Sequence, residues 1–156
     1  MKSKTIFCLT LLTILVTGCK KYPEGPWLSL KTPIHRIDGN SSKMWVVDYF
    51  SINGNDSSAY FKTPFYGKYT FYKAERDHNS KFDFVSSSNS FSGEFFLNKA
   101  KTDITMERYT LTKGIMPPND SVWNKILNWE IQRLTNVDFW LKGNFNGKEY
   151  YMKLKY

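Results

Sequence analysis

The sequence is poor in cysteine and histidine, with two of each among 156 residues. Both cysteines, Cys8 and Cys19, lie near the N-terminus, so the rest of the chain has no internal disulfide and must be stabilised by its core. The histidines, His35 and His78, belong to no zinc spacing or nucleophile motif, and there is no glycine-rich phosphate loop. The sequence therefore predicts no metal, no cofactor and no enzymatic activity.

Long apolar runs are also absent. An apolar stretch from Ile6 to Val16 follows a positive start at Lys2 and Lys4. A transmembrane helix needs roughly 20 apolar residues, whereas the apolar centre of a secretory signal has roughly 7 to 15. The N-terminal segment therefore predicts a secretory signal.

The end of this segment, Val16-Thr17-Gly18-Cys19, resembles the bacterial lipobox, in which small residues precede a cysteine that carries a diacylglycerol on its thiol. The resemblance implies that residues 1–18 are a lipoprotein signal peptide and that Cys19 is lipidated. Each buried methylene of the lipid contributes about 0.8 kcal/mol, so several acyl chains make release negligible. The alternative is that Cys19 is a small hydrophobic residue at the end of a membrane helix.

Lys20 and Lys21 follow the cysteine, rather than the acidic residues that mark surface export or the aspartate that marks inner-membrane retention in other lipoproteins. The lipobox resemblance thus implies an outer-membrane anchor that faces the periplasm. The membrane, reached through the lipid, is the first expected partner.

Residues 19–42 are expected to contain the lipidated cysteine and a tether, because prolines and glycines break regular structure there: Pro23, Gly25, Pro26, Pro33 and Gly39. Trp27, Leu28 and Leu30 are apolar, which suits contact with a folded domain as well as a free linker. Both interpretations of the tether remain open from the sequence.

Positive charge is in excess, with 22 Lys and Arg against 14 Asp and Glu and a net charge of +8. The basic residues stand singly between aromatic residues and form no run typical of a polyanion-binding surface. We expect no nucleic-acid partner, and attraction to anionic lipid headgroups explains the charge better.

Residues 43–156 predict one all-β domain, because apolar and polar residues alternate in successive short stretches separated by turns. In one stretch Gly67, Tyr69 and Phe71 share a face, opposite Lys68 and Thr70. The expected strands lie in or near these segments: Lys43–Ile52, Ser57–Thr63, Phe65–Lys73, Lys81–Val85, Phe91–Leu97, Thr102–Thr112, Leu127–Gln132, Val137–Phe145 and Tyr150–Tyr156. A single helical turn is expected near Ser121–Lys125.

The last two strands are joined by Asn146-Gly147, the strongest short signal for a two-residue hairpin turn. Eight or nine short strands joined in sequence favour a single antiparallel meander that closes into a barrel, because closure removes exposed edges. A β-sandwich is the alternative fold, and in it the first and last strands would not pair.

Several tracts resemble the lipocalin-like lipoproteins of the Bacteroidota: Pro26–Lys31, Trp45–Tyr49 with Asn53-Gly54 behind it, Trp129–Asn136, and Phe139–Leu141. Lipocalins begin their first strand with Gly-x-Trp, whereas Trp45 follows Lys43-Met44 here. The resemblance implies a lipocalin-like barrel, with Trp45 packed to close one end of it.

The aromatic residues that lie on the more apolar face of their strands are the candidates for the barrel interior: Tyr69, Phe71, Phe95, Trp129 and Phe139. An eight-stranded barrel is just wide enough to be filled by side chains or to hold one small ligand. These five residues are therefore candidate ligand-binding residues, with core packing as the alternative role.

Three hypotheses for function follow. The first is a lipid-anchored outer-membrane protein whose lipocalin-like domain binds a small apolar or amphipathic ligand. The second is an accessory lipoprotein that docks another envelope protein and has a barrel filled by side chains. The third, an envelope hydrolase, has the least support, although a pair of glycosidase carboxylates can be brought together by the fold alone.

Overall fold

The computed structural model describes residues 21–25, 31–59, 67–73, 80–86, 90–113 and 126–156. In these ranges the chain forms one short helix and a series of strands. Their bounds are α1 (Pro33–Asp38), β1 (Ser42–Ile52), β2 (Asn55–Asp56), β3 (Gly67–Tyr72), β4 (Ser80–Ser86), β5 (Ser90–Leu97), β6 (Asp103–Lys113), β7 (Ile126–Leu134), β8 (Asp138–Phe145) and β9 (Lys148–Lys155).

The strands form one antiparallel meander that closes on itself. Strand β1 pairs with β3 on one side and with β9 on the other, where the register runs from Val46 opposite Lys155 to Ile52 opposite Tyr150. Eight described strands therefore make a closed barrel, and β2 is a two-residue extra strand on β1. The predicted barrel is confirmed, and the sandwich is wrong because the first and last strands pair.

Alternation along the strands separates the barrel interior from its outer surface. In β3, Gly67, Tyr69 and Phe71 are buried whereas Lys68 is exposed, as predicted. The expected strands Val137–Phe145 and Tyr150–Tyr156 are each one residue too long at one end, where Val137 is 52% exposed and Tyr156 is 71% exposed. Val137 precedes β8 and Tyr156 follows β9, so neither belongs to a strand that would turn its side chain inward.

Helix α1 lies inside the segment that was predicted to be a tether. Pro33 occupies its first turn, and Gly39, at φ 65°, ends it with an N–H donated to the carbonyl of His35 at 3.1 Å. Ile37 is fully buried in the barrel core. Here proline begins a helix and glycine ends it, and because this helix packs on the barrel, the folded domain begins before residue 43. Trp27, Leu28 and Leu30, and the turn near Ser121–Lys125, lie outside the described residues.

The strand predicted over Ser57–Thr63 is wrong in its described part, since pairing with β1 ends at Asp56. The backbone N–H of Ser57 donates to the carbonyl of Phe50 at 2.8 Å, and the N–H of Ser58 donates to the Asp56 carboxylate at 2.9 Å. These local bonds take donors that a strand would have offered to a neighbour.

Candidate functional site

One end of the barrel is covered by α1, and we call it the closed end. It also contains the turns at residues 98–102 and 135–137. Trp45 lies there, fully buried, and its indole N–H donates to the carbonyl of Ile37 at 2.9 Å. Arg36 fixes the helix from its other side by donating from Nη1 to the carbonyl of Leu134 at 2.6 Å. The predicted role of Trp45, packing that closes the barrel, is the role that the structure gives it.

Lys43 is a buried cation at this closed end. Its Nζ atom lies 4.1 Å from the ring centroid of Trp45 and donates to the carbonyls of Arg36 and Asn136 at 2.9 and 2.6 Å. Burial, assisted by the charge of Lys31, lowers the pKa of Lys43 to about 8 against the opposing effect of Asp38. Its contacts are with the barrel framework, which indicates a structural role.

The five aromatic residues predicted to bind a ligand all point into the barrel and are buried. Tyr69 is 4% exposed, whereas Phe95 and Phe139 are 0% exposed. Phe71 packs between these last two, at ring-centroid distances of 5.0 Å to Phe95 and 6.0 Å to Phe139, both edge to face. Tyr69 stacks on Phe71 at 6.2 Å. Phe95 and Phe139 have no accessible surface, so they border no water-sized space, and Tyr69 and Phe71 pack with them to fill this part of the barrel.

Trp129 stands apart from that cluster. Its ring packs edge to face on Phe145 at 4.9 Å, and Gly143 on β8 gives it room, since an added Cβ there would lie 3.1 Å from the indole. The indole Nε1 is buried and has no hydrogen-bond partner within the structure. A buried donor without a hydrogen-bond partner among the described residues is uncommon in a folded protein.

Arg108 on β6 also points into the barrel. It lies opposite Gly93 on β5, and its guanidinium carbon is 5.8 Å from the ring centroid of Phe91. Its Nη1 atom is buried and makes no hydrogen bond to the part of the chain that the structure describes, although the whole side chain is only half-buried. The pairing of β6 with β7 reaches only as far as Glu107 opposite Ile126. Arg108 therefore lies just beyond this pairing, toward the end opposite α1, which we call the open end.

The sequence analysis missed Arg108. Its only signal was a position in phase with Ile104 and Met106, two inward residues of β6 that are buried. An arginine in phase with an apolar face is a cation directed at the core. Whether its guanidinium finds a hydrogen-bond or ion-pair partner inside the barrel depends on side chains from other strands.

Other predicted features do not form a site in the described residues. Cys19 and His78 lie outside them, and His35 shares a hydrogen bond of 2.6 Å with Asn40. No group of three or more histidine, cysteine or acidic residues is arranged to hold a metal ion among the described residues. The same part of the chain contains no helix long and apolar enough to cross a membrane.

No known protein family model matches the chain, and no curated protein matches it. A protein from Burkholderia xenovorans, solved by NMR, aligns over 86% of this chain and 97% of its own length at 11% identity. The TM-score of that alignment is 0.38, too low to bear on fold or function.

Proposed function

We propose that the protein is a lipid-anchored outer-membrane lipoprotein whose barrel binds a small amphipathic ligand with an anionic group. The observation that carries the proposal is Arg108, an inward-pointing cation with a buried Nη1 atom that has no hydrogen-bond partner among the described residues. Burying such a nitrogen unpaired costs free energy that a ligand carboxylate or phosphate would recover.

The surroundings of Arg108 suit the apolar part of such a ligand. Phe91 lies beside the guanidinium, and Phe91 in turn stacks on Phe84 at 4.8 Å. Trp129 supplies a second buried donor without a partner. An amphipathic molecule would thus meet aromatic surface and hydrogen-bond donors together, the composition usual for small-molecule sites.

The ligand is proposed to lie toward the open end, because the closed half is filled. Phe95 and Phe139 are fully buried there, and Trp45 covers the end of the barrel. Among the five aromatic residues predicted from sequence, Trp129 is the best candidate for ligand contact because its buried indole Nε1 has no hydrogen-bond partner among the described residues; its side chain, at 1% exposed, is otherwise as buried as that of Phe71. Tyr69, Phe71, Phe95 and Phe139 are proposed to form the floor beneath the ligand.

The anchor is supported by the sequence Val16-Thr17-Gly18-Cys19 after a short apolar run. A buried tryptophan in the first barrel strand also fits the resemblance to lipocalin-like lipoproteins of the Bacteroidota. We propose that the lipid on Cys19 holds the domain at the periplasmic face of the outer membrane, and that its role is binding and not catalysis.

Binding of a fluorescent fatty acid, compared with the alcohol of the same chain length, tests the headgroup contact. The parent protein should prefer the acid. Arg108→Met should raise the dissociation constant for the acid by about tenfold or more, since hydrogen bonds to charged groups contribute roughly 1.5–3 kcal/mol. Lys81→Met is the matched control, because it removes a positive charge from an exposed position on the barrel wall.

Stability distinguishes a ligand contact from a structural role. Without ligand, Arg108→Met should raise the free energy of unfolding, because it removes an unpaired buried nitrogen and adds apolar side chain to the core. A parent protein that bound acid and alcohol equally, or an Arg108→Met variant that kept the preference for the acid, would contradict the proposed headgroup contact.

A second candidate function is supported by the packed interior. Because Phe95 and Phe139 adjoin no water-sized space, the barrel also fits an accessory lipoprotein that docks another envelope protein. Failure of the parent protein to bind either fluorescent lipid would favour this second function.

A further inference from the structure

The segment Lys21–Gly25, close to the proposed lipid, is built into the barrel wall. At the closed end, the pairing of β6 with β7 begins at Thr102, whose carbonyl accepts from the N–H of Ile131 at 2.8 Å. Beyond that point the segment takes the place of β6: Glu24 N–H donates to the carbonyl of Gln132 at 2.8 Å, and Leu134 N–H donates to that of Gly25 at 3.4 Å.

Side chains hold the same segment firmly. Tyr22 is 1% exposed, and its hydroxyl donates to the carbonyl of Lys101 at 3.2 Å in the turn at residues 98–102. Burial raises the pKa of Tyr22 to about 12. Glu24 accepts from the hydroxyl of Tyr151 at 2.8 Å, and its carbonyl accepts from Arg133 Nη1 at 2.7 Å. The position of this segment on the barrel is therefore defined.

Chain length then limits how far the barrel can lie from the bilayer. Cys19 precedes Tyr22 by three residues, which span at most about 10 Å when extended. Tyr22 lies at the closed end, against the turn at residues 98–102. A lipid on Cys19 would place that end close to the headgroups.

In the part of the chain that the structure describes, the rim of the closed end carries more exposed lysines than acidic residues. The lysines are Lys21, Lys31, Lys73, Lys99, Lys101 and Lys155, of which Lys155 pairs with Asp138. The exposed acidic residues there are Glu24 and Glu130, and Asp103 is half-buried; Glu24 is engaged by Tyr151 and Arg133. Burial, together with the charges of Lys101 and Arg36, lowers the pKa of Lys21.

A surface pocket of about 330 Å³ opens on the same rim. It is lined by Lys21, Tyr22, Pro23, Thr102, Glu130 and Ile131. It combines the ammonium group of Lys21, the hydroxyl of Thr102 and the carboxylate of Glu130 with apolar walls, beside the start of the docked segment.

We infer that the closed end of the barrel lies on the membrane and contacts anionic phospholipid headgroups through Lys21, Lys99 and Lys101, so that the open end points away from the bilayer. This inference rests on the lipid anchor of the proposed function. It does not depend on ligand binding in the barrel.

Hydrogen exchange of the full-length protein, produced in a bacterium that processes lipoproteins, tests the orientation. The protein would be placed in nanodiscs of phosphatidylcholine alone or with added phosphatidylglycerol. Amides at residues 98–102 should exchange more slowly in the anionic discs, and high salt should remove the difference. Each lysine near an anionic surface is worth about fivefold in the contact equilibrium, so Lys101→Gln should weaken the protection by about that factor.

Lys68→Gln is the matched control, because Lys68 is exposed on β3, toward the open end, and should leave the protection unchanged. Lys99→Gln is a second test variant. Protection of the Asn146-Gly147 turn in place of residues 98–102, or equal exchange in both lipids, would overturn the orientation. Fatty-acid labelling of the same sample separates the two proposals. Labelled protein whose amides at residues 98–102 exchange equally fast in both kinds of disc overturns this inference alone. Protein that carries no fatty-acid label overturns the lipid anchor as well.

Discussion

At the scale of the residue, the closed end depends on one buried cation. Lys43 Nζ lies between the rings of Trp45 and Tyr156, at 4.1 and 4.6 Å from their centroids, and donates to two backbone carbonyls. The carbonyls belong to Arg36 and Asn136, so a single side chain joins α1, β1 and the turn before β8. Burial makes the charged form of this lysine less favourable than in the unfolded chain.

The stability of the protein should depend on pH through Lys43. Its pKa is about 8 in the fold and has the ordinary lysine value of 10.5 when the chain unfolds. Between these values the unfolded state binds more protons, so the free energy of unfolding should rise as the pH increases through 8. Lys43→Met should flatten this rise in melting curves recorded from neutral pH to just below pH 10, where Tyr22 would begin to act in the opposite sense.

Lys68→Met is the control for that series, since Lys68 is exposed and its loss should leave the slope as in the parent. Equal slopes for the parent and Lys43→Met would mean that Lys43 keeps an ordinary pKa. Lys43→Met should also lower stability at neutral pH, because two buried carbonyls lose their donor at roughly 1–3 kcal/mol each.

At the scale of the element, the last hairpin follows the local rules most closely. Asn146 and Gly147 have φ values of 51° and 73°, the positive angles of the two-residue turn predicted from their sequence. The ladder on either side is regular, from Asp138 opposite Lys155 to Phe145 opposite Lys148. Turn chemistry and strand alternation agree here, so the register is fixed from both directions.

Replacing Gly147 with valine should destabilise the protein by roughly 1–2 kcal/mol, because a β-branched residue resists positive φ. An added Cβ would meet nothing within 4 Å, so the cost would come from the backbone and not from a clash. Chemical denaturation measures this difference. Asn144→Val, an exposed position on β8, is the control and should be nearly neutral; a Gly147→Val variant as stable as that control would contradict the turn.

The strands could be predicted from the sequence and helix α1 could not, and the difference has a physical reason. The strands were predictable because alternation such as Gly67, Tyr69 and Phe71 is contained within each segment. Helix α1 was not, because six residues are too few to show a helical period, and Pro33 and Gly39 also mark loops. Its stability comes from burying Ile37 in the barrel, a contact that the local sequence does not show.

At the scale of the whole molecule, closure was predictable and the content of the barrel was not. Successive short strands left only a few arrangements without exposed edges, and the pairing of β1 with β9 is one of them. The isolation of Arg108 depends on β5 contributing Gly93 and Phe91 beside it. Such a site is created by register between strands, so alternation along β6 alone could place Arg108 inside but could not show that it lacks a partner.

The anchor proposal predicts the behaviour of the whole chain in a membrane. Cys19→Ala removes the thiol that would carry the lipid, so it should abolish fatty-acid labelling and leave the signal peptide uncleaved by the lipoprotein peptidase. Cys8→Ala is the matched control, because Cys8 lies within the signal and should be dispensable. Labelled protein that stayed with membranes after alkaline washing in the Cys19→Ala variant would disprove the lipobox interpretation.

The pairing of Val46 with Lys155 joins the first and last barrel strands, and this has a consequence for the rate of folding. Contacts between residues so distant in sequence must overcome the entropy of closing a long loop before they contribute, which places such topologies among the slow folders, in milliseconds to seconds. Until β9 arrives, β1 retains an unpaired edge, with the apolar side chains of Trp45 and Phe50 uncovered. The chain would therefore remain vulnerable to aggregation until β9 has paired with β1.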